Sequence, residues 1–372
     1  MTKTILCIVG TRPAAIKMAP VILALRQEPW AKVVVVTTAQ HRELADEVLR
    51  LIDISPDIDL DLMQPNQKLA DLTARAITGL DGVIGMTSPD LVIAQGDTTS
   101  VMAAAMACFY RQVPFLHVEA GLRSFDMQNP FPEEFNRLVA SRIAHLHFAP
   151  TESARQHLLN EGVEAGDILV TGNTVIDALH MVAARDLALP IEIDESRRLV
   201  LVTVHRRENF GAPLQGICDA LRTLVEEHPD VELLWPVHPN PNVTGIAHAT
   251  LGAHPRIHLV KPQPYSAFVA AMKRAHLILS DSGGVQEEAP ALARPVLVLR
   301  RETERPEAIA AGVVRLIGTD REAILHHARE LLGNEEAYRD MARGGSPYGD
   351  GHASQRIVDA INIRFKIGTS PA

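Results

Sequence analysis

From one end of the 372-residue chain to the other, short apolar runs rich in β-branched residues alternate with longer amphipathic stretches. Strand–helix alternation of this kind restricts a chain to βαβ units on parallel sheets. In the first half the spacing predicts strands at 4–9, 32–37, 91–94, 114–118, 146–149 and 168–171. Helical patterns fall between them, at 15–27, 42–51, 100–110, 133–144 and 152–161. The second half repeats the pattern, with strands at 199–203, 231–235, 257–260, 277–280, 295–299 and 313–316 and helices at 214–228, 265–275, 284–292 and 321–332. Length alone suggests two domains. A Pro- and acid-bearing stretch around 187–198 reads as the link between them. The expected organisation is therefore two Rossmann-like, doubly wound parallel-sheet domains, residues 1–186 and 187–352, around a cleft. A final helical segment, 353–372, either caps the second domain or returns to the first.

Composition narrows the class. Hydrophobic residues make up 47% of the chain but aromatics only 4%, so the apolar mass is mainly Ala, Leu, Val and Ile, which suits parallel strands covered on both faces by helices. A net charge of −9 argues against nonspecific nucleic-acid binding, yet leaves room for a local cationic pocket. No segment reaches the roughly 20 apolar residues that a membrane span needs. The run 5–9 is short and ends in Gly10-Thr11-Arg12-Pro13, so it reads as a first buried strand and not as a signal sequence. Cys7, Cys108 and Cys218 form neither a metal spacing nor a disulfide framework, which points to a reducing, cytoplasmic setting.

In doubly wound sheets ligands bind outside the carboxyl ends of the strands, and the informative residues follow the strands here. After the first comes GTRPAAIK (10–17), a strand-to-helix turn in which Arg12 and Lys17 join free backbone N–H groups at a helix N-terminus, an anion site in the making. It lacks the G-x-G-x-x-G pattern, so the dinucleotide fingerprint is absent. After the third long strand comes QGDTTS (95–100), where Asp97 either caps the next helix or faces the ligand. HVEAGLRS (117–124) ends another strand with a carboxylate, costly unless paired or functional. Glu119 there either pairs with Arg123 or Arg137, or acts together with Glu133 of FPEEFNR (131–137) as an acid/base pair. Glu133 also suits a helix first turn after Pro132. In the second half, VHRRENFG (204–211) puts His205 beside two arginines. PVHPNPN (236–242) makes a rigid loop carrying His238. DSGGVQEE (281–288) is the strongest phosphate signal: Ser282, Gly283 and Gly284 open a helix after a strand, and Glu288 lies one turn in, within reach of ribose hydroxyls.

Taken in order, GTRPAAIKMAP (10–20), TAQHRE (38–43), GDTT (96–99), HVEAGLR (117–123), PEEFNR (132–137), TGNTVIDAL (171–179), HRRE (205–208), PVHPNPN (236–242), DSGGVQEEAP (281–290), TERPEA (303–308) and PYGDG (347–351) resemble the bacterial non-hydrolysing UDP-N-acetylglucosamine 2-epimerases. The resemblance spans nearly the whole chain. It implies a glycosyltransferase-B-like fold, a homodimer, a UDP-sugar substrate, and no metal or redox cofactor. It implies acid/base roles for Asp97, Glu119 and Glu133, a place near the leaving group for His205, phosphate contacts from Arg12, Ser282, Gly283 and Gly284, and a ribose contact from Glu288. Gln40 and His41 match a region that can bind a second, allosteric UDP-GlcNAc. Three positions depart from the family's pattern: Ala14 where it has Glu, Gln95 where it has His, and Val204 where it has Gly. These departures bear on substrate choice, and a UDP-2,3-diacetamido sugar is the alternative substrate. A glycosyltransferase using UDP-GlcNAc, a hydrolysing epimerase and a non-catalytic sensor are the alternative activities.

Overall fold

The computed structural model describes residues 2–38, 42–64, 67–303 and 305–365. The chain folds into two compact units, Met1–Ala178 with Tyr348–Ala372, and Leu179–Pro347.

The first unit is built on β1 (Lys3–Val9), β2 (Ala31–Thr37), β3 (Ile58–Asp59), β4 (Leu91–Gln95), β5 (Phe115–Val118), β6 (Leu146–Ala149) and β7 (Ile168–Val170). They lie in the order β3-β2-β1-β4-β5-β6-β7, and every pairing is parallel. Its helices are α1 (Arg12–Gln27), α2 (Arg42–Leu51), α3 (Leu69–Thr87), α4 (Thr99–Arg111), α5 (Glu133–Ile143), α6 (Glu152–Asn160) and the start of α7 (Thr174–Ala183). The second unit carries β8 (Arg198–Thr203), β9 (Val231–Pro236), β10 (Ile257–Val260), β11 (Leu277–Ser280), β12 (Val296–Val298) and β13 (Val314–Leu316), in the order β10-β9-β8-β11-β12-β13 and again all parallel. Its helices are α8 (Ala212–Glu227), α9 (Pro241–Leu251), α10 (Tyr265–Arg274), α11 (Gly283–Ala291), α12 (Pro306–Ala310), α13 (Arg321–Gly333) and α14 (Glu335–Met341), before α15 (Ala353–Arg364). The two doubly wound parallel sheets are those the alternation predicts.

Strands covered on both faces explain why the apolar runs do not alternate: Ile5–Val9 of β1 and all of β4 are buried. Each sheet has its crossover reversal between its first strand and the strand that follows the outer pair, β1/β4 and β8/β11, where ligands bind in doubly wound sheets.

Strand β3 and helices α3, α7, α9, α12 and α14 go beyond the elements the sequence reading names. Helix α3 has no counterpart among the predicted helices, because Gly79, Gly82 and Gly85 dilute its pattern. Packing explains one of them: a Cβ on Gly85 would lie 2.9 Å from the Arg111 guanidinium, which pairs with Asp81 at 2.6 Å. The stretch 236–242 is also less of a loop than its prolines suggest. Pro236 closes β9, and Asn240 caps α9 by accepting from the Asn242 N–H at 2.9 Å, so Pro241 sits in the helix's first turn.

The chain leaves the first unit within α7 and re-enters it at Tyr348, so both crossings lie upstream of the expected boundaries at 186 and 352. The last helix belongs to the first unit and packs on α1. It is fastened by Asp177, a buried side chain of α7, which accepts from the N–H groups of Ala353 (3.2 Å) and Ser354 (2.7 Å) and from the Ser354 hydroxyl (2.6 Å). Among the described residues no helix is long and apolar enough to cross a membrane.

The turn after β5 depends on Gly121. Its φ is +88°, and a Cβ there would stand 2.2 Å from the Ala154 carbonyl oxygen. Gly162 has a similar φ of +84° with open space around it. Gly162→Ala is expected to cost about 1 kcal/mol, the price of a left-handed residue with a Cβ, and Gly121→Ala several times more. Urea unfolding compares the two; equal losses would mean that the carbonyl contact does not constrain the turn.

Candidate active site

In the first unit, three side chains converge on Glu119. The Lys17 ammonium, from the first turns of α1, and the Asn173 amide (2.8 Å) both donate to Oε1, while Gln95, the last residue of β4, donates to Oε2. The Glu119 side chain is only 7% exposed, so charge-assisted bonds offset the cost of burying the carboxylate. Its backbone is left-handed, φ +62°, a conformation a non-glycine residue keeps only where its surroundings enforce it. The sequence offered Arg123 or Arg137 as partners; Lys17 takes that place. Arg123 instead grips Glu161 with two nitrogens (2.6 and 2.7 Å), and Arg137 turns to Asp97 and Glu134.

Asp97 follows Gly96, a residue with φ +89°. Arg137 binds its Oδ2 through Nε (2.9 Å) and Nη2 (2.8 Å), and Asn136 donates to its carbonyl at 2.8 Å. No cap bond from the Asp97 side chain to α4 is formed; Thr98 occupies the cap position, also without a side-chain bond. Glu133 opens α5, and its Oε2 is buried without a hydrogen-bond partner. Such an orphaned oxygen marks a position that a ligand group can complete. Its neighbour Glu134 is the structural acid: 2% exposed, it accepts from the Ser124 and Phe125 amides (3.0 and 3.1 Å) and from Arg137 (3.0 Å). Burial opposes its ionisation, but those donors outweigh burial and hold the carboxyl below its ordinary value. His117 lies fully buried on β5 with Nε2 2.7 Å from the Gly96 carbonyl, and burial lowers its pKa. Arg12 is half-buried at the start of α1.

In the second unit, fully buried Asp281 after β11 ties the loop after β8 in place. It accepts from the His205 N–H (2.9 Å), the Arg206 N–H (2.8 Å) and Asn209 Nδ2 (2.9 Å). The His205 ring is stacked on His238, centroids 6.0 Å apart, with Nδ1 3.3 Å from Asp281. Burial lowers its pKa, with Arg206 and His238 acting in the same sense against Asp281. Ser282 is the cap residue of α11, and its side chain makes no cap bond. A Cβ on Gly283 would find nothing nearer than Arg206 and Arg305 nitrogens at 3.9 and 4.0 Å; one on Gly284 would meet Glu288 Oε1 at 3.8 Å. The N–H groups at this end of α11 can thus be approached closely by an anion. Glu288, 8% exposed, lies 3.4 Å from the Tyr265 hydroxyl, and Glu287 pairs with Arg305.

The structure therefore groups Lys17, Asp97, Glu119 and Glu133 in one unit, and His205, His238, Ser282, Gly283, Gly284 and Glu288 in the other. Gln40 and His41 lie outside the described residues. Sequence reasoning missed Asn173, Glu134 and Asn209. The first stands in the TGN turn after β7, and its partner is 54 positions away, so no local signal marks it. Of the three departures, Gln95 supplies a donor to Glu119, while Ala14 and Val204 are buried, each 2% exposed. Among the described residues one trio, His326, His327 and Glu330, brings metal-ligating atoms together. Arg315 already binds His327 Nδ1 (3.0 Å) and Glu330 (2.6 Å) there, so a cation occupies that place.

A family model described as UDP-N-acetylglucosamine 2-epimerase matches residues 23–362. A protein of Escherichia coli (strain K12) named UDP-N-acetylglucosamine 2-epimerase is 47% identical over 369 residues, covering 96% of this chain and 98% of that protein. A crystal structure of a putative UDP-N-acetylglucosamine 2-epimerase from Listeria monocytogenes superposes with a TM-score of 0.94 at 47% identity, over 98% of this chain and 97% of that one. The Neisseria meningitidis UDP-GlcNAc 2-epimerase bound to UDP-GlcNAc gives 0.87 at 43% identity, over 96% and 99%.

The lowered pKa of Glu134 makes a stability statement with a definite sign. A carboxyl held below its unfolded value, about 4.3, contributes stability that is complete above that pH and is lost as pH falls through the folded value. Glu134→Gln should thus lower stability at pH 7, and the gap from wild type should narrow as unfolding is measured toward pH 3. A gap that stays constant with pH would rule out the ionised carboxylate as its source.

Proposed function

The chain belongs to the UDP-N-acetylglucosamine 2-epimerase family, and on that premise we propose that it interconverts UDP-GlcNAc and UDP-ManNAc by elimination and re-addition of UDP. The observation that carries the proposal is the cluster around Glu119: a left-handed, buried carboxylate held by Lys17, Gln95 and Asn173, in the same unit as Asp97 on its arginine and Glu133 with an orphaned oxygen.

The reaction explains why several carboxylates are needed. The C2 proton of the sugar has no carbonyl beside it and is not acidic. As the C1–O bond to UDP breaks, UDP leaves with the electron pair and positive charge builds at C1. A base then removes the C2 proton, and a C1=C2 double bond forms, giving 2-acetamidoglucal. In return, a UDP oxygen attacks C1 while an acid protonates C2 on the other face. Bonds and protons balance with no net oxidation, and the step asks for acid/base groups near C2 and for stabilisation of the departing diphosphate. Asp97, Glu119 and Glu133 are assigned to the first task. The second goes to Arg12, Lys17, His205, His238 and the Ser282-Gly283-Gly284 end of α11, with Glu288 taking the ribose. A cytoplasmic location fits three buried, unbridged thiols. The reading includes a homodimer, for which Met86, Phe109 and Tyr110, exposed large side chains of α3 and α4, are the candidate contacts.

Proton NMR of the protein with UDP-GlcNAc in D2O tests the reaction. UDP-ManNAc with deuterium at C2 is expected. Unchanged UDP-GlcNAc would dismiss this substrate, and UDP with free sugar would mean hydrolysis. Gly284→Ala tests the phosphate assignment. Because a Cβ there meets no close protein atom and Ala favours a helix by about 1 kcal/mol over Gly, the variant should be at least as stable as wild type while binding UDP about tenfold or more weakly. Unaltered UDP affinity by calorimetry would remove Gly284 from the phosphate site.

A further inference from the structure

We infer that Asn173 is a positioning residue for Glu119, fixed in turn by the C-terminal segment that returns to the first unit. The inference deepens the proposed function and rests on Glu119 belonging to its site. Asn173 is 2% exposed. Its Oδ1 is taken by the Val175 N–H (3.1 Å) at the start of α7, which leaves Nδ2 as the atom that reaches Glu119 Oε1 at 2.8 Å. An amide whose oxygen is bound by an N–H donor and whose nitrogen faces a carboxylate has one orientation that satisfies both.

The returning chain holds that turn from the other side. The Asn173 N–H donates to the Tyr348 carbonyl at 2.5 Å. Gly172, with φ +88°, lies so close that a Cβ would stand 3.2 Å from Gly349 Cα and 3.3 Å from the Tyr348 oxygen. Arg356 donates to the Thr171 carbonyl (3.0 Å) while paired with Asp350, and Asp177 anchors the first turn of α15. Residues 171–177 are therefore clamped along their length by residues 348–356. The Asn173 amide passes that constraint to a carboxylate whose own left-handed backbone needs external support.

Two substitutions separate this role from helix capping. Asn173→Asp and Asn173→Ser both keep a side-chain oxygen for the Val175 N–H, and both cap helices well, but neither donates to Glu119 as the amide does. If Asn173 only caps α7, both variants behave as wild type. If it positions Glu119, both lower kcat about tenfold or more, the scale of one charge-assisted hydrogen bond, while KM and UDP affinity stay within about twofold. Asn173→Asp also places a carboxylate against Glu119, raising the Glu119 titration and moving the acid limb of the kcat–pH profile to higher pH. Lys17 of α1 pairs with Glu119, and His117 of β5 interacts electrostatically with Glu119, Arg123 and Asp97, the last paired with Arg137 of α5; neither variant alters these groups. The Glu119 carboxyl titration, followed by carbon-13 NMR in the full-length protein, gives a readout independent of turnover. Wild-type inactivity on UDP-GlcNAc would sink the proposed reaction, whereas an unshifted titration in Asn173→Asp would sink the positioning role, even in an active enzyme.

Discussion

A parallel strand can be followed by another parallel strand only through a crossover, so every strand of such a sheet ends on the same edge. The rest of this molecule depends on that constraint. In the first unit it delivers Gly10, Gly96 and Glu119 to one edge from β1, β4 and β5, and in the second His205 and Asp281 from β8 and β11. The reversal in strand order leaves the loops after the two central strands without a crossing helix between them. Side chains fill that position: Ser100, at the start of α4, lies against Gly10 after β1 and bonds Thr38 after β2 (2.8 Å) in one unit, and Asp281 bonds the His205 loop in the other. The tightness is measurable at Gly10, where a Cβ would meet Ser100 at 3.0 Å.

Two buried carboxylates, Asp281 and Glu119, occupy comparable strand-end positions but are satisfied differently. Asp281 accepts from backbone and amide N–H groups, is fully buried, and organises a loop. Glu119 accepts from an ammonium and two side-chain amides and keeps a small exposed fraction. Backbone donors cannot be withdrawn without unfolding the turn, whereas a lysine such as Lys17, on its long side chain, can adjust as charge on the carboxylate changes while Asn173 keeps the carboxylate in place. The first arrangement suits a fixed scaffold and the second suits proton transfer, which is why the reactive role falls to Glu119 in the proposed reaction.

The sheets were legible in the sequence because strand burial is a local property: Ile257–Val260, Leu277–Ser280 and Leu146–Ala149 appear with the bounds their apolar runs predict. The residues at the strand ends were legible for the same reason. Their partners were not. Glu119 was matched with arginines close in sequence, yet its cation comes from Lys17, 102 positions earlier. The pattern singled out Glu133 and gave no role to Glu134; α5 turns Glu134 into the Ser124–Phe125 loop and leaves an oxygen of Glu133 unpartnered. The fastening of α15 by Asp177 spans more than 170 positions and carries no signature beyond a polar residue in an apolar helix.

The glycines separate what the fold demands from what it does not. Gly121 and Gly172 have left-handed backbones and neighbours within 3.3 Å of any added Cβ, so the chain itself excludes other residues. Gly283 and Gly284 have neither constraint: their backbones are helical, and the space beside them is open. Glycine is a poorer helix former than alanine, and nothing beside these two positions would obstruct an alanine side chain. In the proposed reaction the reason for glycine comes from outside the polypeptide: a missing Cβ lets an anion be drawn close to the N–H groups at the start of α11. The departing diphosphate of the proposed reaction is such an anion, so the same loop that binds the substrate would also stabilise the charge that its cleavage releases.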